Sequence, residues 1–133
     1  MNPHPDRTRF LRRSLQLDGV ASGLCGALLI AGASPVSAFM GLDDTRIARA
    51  VGAPFIVYAA ALLYNAARAA VSRAGALAAV VLNAGWVIGN TLVIVAGPLT
   101  LVGNAVVAAL AVAVLLFALL EVVGLARLRE MAG

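Results

Sequence analysis

Residues 99–125 read LTLVGNAVVAALAVAVLLFALLEVVGL, and Glu121 is the one charged residue among them. A helix rises ~1.5 Å per residue, so ~20 apolar residues cross the ~30 Å of hydrocarbon in a bilayer. This stretch is longer than that. Working outward, three more apolar runs occupy residues 17–40, 47–67 and 75–97. None alternates with the period of two that a membrane strand needs. Lipid also requires every backbone polar group to be satisfied within the segment, so the runs are read as helices. The links at 41–46, 69–73 and 97–98 are short, which makes successive helices antiparallel. The predicted fold is an all-α integral membrane protein, an up-down bundle of four transmembrane helices. Residues 1–16 form an Arg-rich tail, 17–125 the membrane domain and 126–133 a second tail.

The composition agrees. Of 133 residues, 62% are hydrophobic and 12% charged, and the mean hydropathy is +0.99. Soluble domains carry ~25% charged residues. These figures exclude a soluble enzyme, a disordered regulator and a disulfide scaffold. The net charge is +4 with ten Arg and no Lys. The Arg residues sit between the apolar runs, as topology signals do, and do not gather into a nucleic-acid footprint. Cys25 is alone and His4 lies in the polar tail, so neither a disulfide nor a His or multi-Cys metal site is expected. No cofactor motif and no activated nucleophile is visible, and the chain does not read as an enzyme.

Arg7, Arg9, Arg12, Arg13, Arg68, Arg73, Arg127 and Arg129 fall on one side of this topology, and Arg46 and Arg49 on the other beside Asp43 and Asp44. The positive-inside rule then puts both termini in the cytoplasm and the chain in the inner membrane. A competing reading takes Arg12-Arg13 and the first apolar run as an export signal, with Val36-Ser37-Ala38 as the cleavage site. Asp18 and Gly19 interrupt the apolar stretch such a signal needs. The two halves also read as a weak parallel repeat, with Leu17-Asp18 falling on Leu82-Asn83 at an offset of 65 residues.

Polar residues inside lipid are costly and therefore informative. Asp18, Ser22, Cys25, Leu29 and Gly32 fall on one stripe of the first helix. Pro54, Tyr58, Ala61, Asn65 and Arg68 share a stripe of the second, and Asn83, Trp86, Asn90, Val93 and Gly97 one of the third. On the fourth, Asn104 and Glu121 are joined through Ala108, Ala111 and Ala118. Turning all four stripes inward builds a bundle. Counting from the flanking Arg residues puts Asp18, Asn65, Asn83, Trp86 and Glu121 in the cytoplasmic half, as a candidate polar cluster near the mouth. Tyr58, Asn90 and Asn104 are secondary pocket or packing residues. Two carboxylates brought together in low dielectric repel, which makes them a natural place to share a proton. Alternatively, Asp18 and Glu121 reach interfacial water or Arg, or Asp18 acts as an N-cap. The glycine pairs Gly19/Gly23 and Gly85/Gly89 permit close helix packing, inside the bundle or across a dimer.

Leu17-Asp18 opening the first helix, Leu82-Asn83 followed by Trp86 in the third, and Glu121 late in the fourth resemble a group of small bacterial four-helix inner-membrane proteins of uncharacterised activity. The resemblance covers nearly all of the chain after residue 12 and implies the topology alone. Similarity to small multidrug transporters ends at helix count. That family carries its glutamate in the middle of the first helix, where this chain has residues 26–29 without a charge. Two functions follow from the residues. One is a non-enzymatic membrane component acting through lipid, a second copy or another membrane protein. The other is a small ion- or proton-coupled transporter using Asp18 and Glu121.

Overall fold

The computed structural model describes residues 5–130, with side chains from Thr8 onward. Its elements are α1 (Pro5–Ala31), α2 (Ala33–Met40), α3 (Thr45–Ala67), α4 (Arg73–Ala96) and α5 (Leu101–Arg129). The described residues contain no strand. The stretches Thr8–Ala31, Thr45–Ala67, Arg73–Ala96 and Leu101–Arg129 are long and apolar enough to cross a membrane. The fold is the expected all-α four-helix bundle.

Two boundaries differ from the sequence reading. The first helix does not begin at residue 17. It already includes Pro5, the first described residue, and runs through the Arg-rich segment. Leu11 and Leu15 in that segment are fully buried. Arg12 is turned along α3, donating to the carbonyls of Ala66, Arg68 (2.8 Å) and Ala69 (3.3 Å). It thereby occupies carbonyls that the end of α3 leaves unpaired. The same helix does not reach residue 40 unbroken. It stops at Ala31, and α2 restarts after Gly32. Pro35 explains the break, because its ring would collide with the carbonyl of Ala31 in a continuous helix. At the other end, the C-terminal tail drawn from 126 is helical through Arg129.

The remaining ends follow local chemistry. Asp44 caps α3 by accepting from the Arg46 N–H at 2.9 Å. Ser72 caps α4 through the Gly75 N–H at 3.1 Å, and Thr100 caps α5 through the Gly103 N–H at 2.9 Å. Gly41 and Gly97 close α2 and α4 in the left-handed region, with φ of 77° and 74°, where a side chain would be strained. Asp18 lies in the middle of α1, so the N-cap reading of that residue is set aside.

In the bundle α1 packs along α3, α5 along α4, and α1 against α5. The α3–α4 seam is touched more lightly. The tightest packing is between α1 and α3. A Cβ on Gly26 would lie 2.9 Å from the Gly52 carbonyl oxygen, and one on Gly52 would lie 2.9 Å from that of Gly26. The start of α1 and the end of α5 share one end of the bundle, where the Arg127 guanidinium stands 4.5 Å over the Phe10 ring. Leu24, Leu28, Val57, Val81, Ile88, Leu92 and Leu116 are exposed on the outer surface, as lipid-facing positions are.

The inward stripes are shifted from those drawn on the sequence. On α3 they run Ala48, Gly52, Ala59, Leu62 and Asn65, while Pro54 and Ala61 face outward. On α5 they run Gly103, Val107, Ala118, Glu121 and Gly124, and Ala108 faces outward. On α4, Ala76, Ala79, Asn83 and Asn90 are buried, but Val93 and Gly97 are exposed. Gly85 and Gly89 have no other residue near the position of an added Cβ.

Candidate functional site

Asp18 on α1, Tyr58 on α3, Asn83 on α4 and Glu121 on α5 meet inside the bundle. Each long helix contributes one side chain. Asp18 is 1% exposed and Glu121 0%. Asn83 stands between the acids. Its Nδ2 donates to Asp18 Oδ2 at 2.9 Å and to Glu121 Oε2 at 3.3 Å. One amide nitrogen reaching both carboxyls holds them far closer than the Debye length of about 10 Å at which screening takes over. Ser22, one turn along α1, donates to Asp18 Oδ1 at 3.0 Å.

The Tyr58 hydroxyl lies 2.9 Å from Asp18 Oδ2 and 2.9 Å from Asn83 Oδ1. A phenol has one hydrogen, so it serves one of these acceptors at a time. Glu121 Oε1 is buried and receives no hydrogen bond from a described residue. Among the described residues no cation pairs with Asp18 or Glu121. The cluster therefore holds two acids with no neutralising base.

Depth also departs from the sequence reading. Asn83 is ten residues into α4 and Glu121 eight before the end of α5, which puts both ~12–15 Å inside the bundle. Measured along the helices the cluster is deeper than the mouth, within the half of the bundle that the sequence reading assigns to it. Asp18 joins Asn83 and Glu121 at that depth because α1 begins well before residue 17. The alternative in which both acids reach interfacial water or Arg does not fit this burial.

Not every expected member joins. Asn65 is buried but engaged locally. Its Oδ1 accepts from the Ser72 N–H at 2.7 Å and its Nδ2 donates to the Ser72 carbonyl at 3.2 Å. It ties the α3–α4 link and makes no contact with the acids. Trp86 lies one turn from Asn83 and meets Phe55 edge-on, with ring centroids 4.6 Å apart. This pair crosses the lightly packed α3–α4 seam beside the Tyr58–Asn83 bond. Asn90 and Asn104 stand in the other half of the bundle. Asn90 Nδ2 and Asn104 Oδ1 are buried without a hydrogen bond from the described residues, as is Ser37 Oγ on α2. Buried polar atoms are rarely left so.

Tyr58 takes a larger part than its secondary place in the sequence reading, and Ser22 is an addition. Both were legible in part: Ser22 is one turn from Asp18, and Tyr58 shares the stripe drawn through α3. Among the described residues no group of three or more His, Cys, Asp or Glu stands together. No protein-family model matches the chain, and comparison with curated proteins and with solved structures finds no match either.

Proposed function

We propose that the chain is a small proton-coupled carrier of the inner membrane, with both termini cytoplasmic, and that Asp18 and Glu121 are its proton-binding pair. The observation that carries this reading is two fully buried acids held by one amide with no cation beside them. A bare pair of negative charges in hydrocarbon is very costly, whereas one proton shared between them removes half the charge. The hydrogen count supports it. With a proton on Asp18, the acid donates to the Tyr58 oxygen and the phenol donates to Asn83 Oδ1, so both contacts at 2.9 Å are satisfied together. The unpartnered polar atoms of Asn90, Asn104 and Ser37 lie toward the opposite end of the bundle. They are suited to water or solute approaching the acids from that side. In this reading the protein is not an enzyme, needs no cofactor and works with the lipid bilayer, alone or as a homo-oligomer.

A second reading is favoured by the way Asn83 and its partners join all four long helices. Here the cluster is a structural tie in a non-enzymatic membrane component that acts through other membrane proteins. The two are separated by following the proton. In proteoliposomes carrying an internal pH dye, the parent should dissipate an imposed proton gradient when one of a panel of small solutes is added. Glu121→Gln and Asp18→Asn, once shown to insert and fold normally, should not. Infrared difference spectra across pH should contain a protonated-carboxyl band that one of these variants removes. If both variants handle every solute like the parent and the band is absent, the pair is structural and the carrier reading fails.

A further inference from the structure

At the end of the bundle where α1 starts and α5 finishes, a groove of about 480 Å³ lies between the first turns of α4 and the last turns of α5. Leu77, Val122 and Leu125 form its floor, and Arg73 and Arg129 stand among its walls. No acidic residue lines it. Both guanidiniums are exposed, and neither makes an ion pair or hydrogen bond with a described residue. Their neighbours differ: Arg12 is spent on the end of α3, and Arg127 sits over Phe10.

We infer that this groove is the seat of one anionic phospholipid. Arg73 and Arg129 bracket the headgroup phosphate, and an acyl chain lies along Leu77, Val122 and Leu125. Three features select this occupant. Two unpaired guanidiniums match a phosphodiester in charge and in hydrogen-bond geometry. Arg73 opens α4, so the positive dipole end of that helix offsets the negative end of α5 beside Arg129 and leaves the charge of the two guanidiniums in place. The floor is aliphatic and continuous with the lipid-facing surface, and the volume falls in the ~300–1,000 Å³ range of sites for whole organic ligands. A bare phosphate would leave that floor unused. Basic pockets between helices at a membrane boundary are suited to anionic headgroups on these grounds. The inference is independent of the proton-binding reading and uses none of its residues.

The test uses the full chain, delipidated in a mild detergent, with lipid retention read by native mass spectrometry. Phosphatidylglycerol is compared with phosphatidylcholine. The parent should retain one phosphatidylglycerol selectively. Each of Arg73→Gln and Arg129→Gln should weaken retention roughly fivefold, and both together roughly 25-fold. Arg49→Gln, at the opposite end, should leave it unchanged. Ala126→Phe keeps both charges and fills the groove, so it should also release the lipid. Helicity and a monodisperse profile in each variant separate lost binding from lost fold. Equal loss from Arg49→Gln would mean diffuse attraction to any Arg and overturn the site. Competition by inorganic phosphate as effective as that by the lipid would overturn the lipid as occupant. Retention unaffected by Ala126→Phe would overturn the groove.

Discussion

Asn83 serves two acids and a phenol with a single amide, so its removal is felt at three partners. Asn83→Ala takes a donor from both acids and an acceptor from the phenol. Interhelical hydrogen bonds in membranes average ~0.6 kcal/mol, but orphaning a buried polar group costs ~1–3 kcal/mol. We expect Asn83→Ala to destabilise the bundle within that larger range, measured by reversible unfolding in mixed micelles. Thr91→Ala removes an exposed local bond to the Val87 carbonyl and should change stability by less than about 0.5 kcal/mol. Equal effects would mean that the cluster contributes nothing beyond ordinary polar contacts. Asp18, Asn83 and Glu121 were readable from the sequence because an ionisable or amide side chain amid apolar residues has few places to go. Asn65 misled the reading for the same reason. Its periodicity is that of an inward residue, and whether such an amide faces another helix or its own link is decided by loop geometry.

Among the helices, two glycine pairs of identical spacing lead different lives. Gly19 and Gly23 face α3, with Leu63 and Ala59 against the positions an added Cβ would take, whereas at Gly85 and Gly89 no described residue lies within 4 Å of that position. Angle explains the difference. Gly85 follows Asn83 by two residues, about 200° around the helix, so an inward Asn83 turns Gly85 outward. The sequence contained that relation, but spacing alone could not choose between the two faces of α4. The close approach of Gly26 and Gly52 was not legible, because it pairs residues on separate helices. Ala at either position drives a methyl against a partner carbonyl 2.9 Å away and should cost about 1–3 kcal/mol. Gly85→Ala meets open space and should be neutral, or gain up to ~1 kcal/mol from helix propensity. Unfolding midpoints of the three variants check this, and a loss for Gly85→Ala matching that for Gly26→Ala would contradict it.

For the molecule as a whole, four spans bring the start of α1 and the end of α5 to one side, and under the proposed topology the positive-inside rule makes that side the cytoplasm. Reporters fused to either terminus should both read cytoplasmic. The intact mass should include residues 1–38, and a mature chain beginning at Phe39 would overturn the uncleaved topology. The number and order of the spans were plain in the sequence because hydrophobic length is a direct physical requirement of the bilayer. The true start of the first span was hidden, since Arg12 looks like a tail residue until the carbonyls it meets are in place. That dependence sets a timetable for biogenesis. Arg12 and its acceptor Ala66 are 54 residues apart, and a ribosome working at ~5–20 residues per second needs roughly 3–10 s to cover the gap. Throughout that interval the guanidinium has only water and headgroups for company, so the first span can settle only as half of a hairpin with α3. Arg12→Ala should therefore lower the yield of correctly inserted chain in a pulse-chase experiment. Lengthening the α2–α3 connection should delay protease protection of the N-terminal segment by the time taken to translate the added residues.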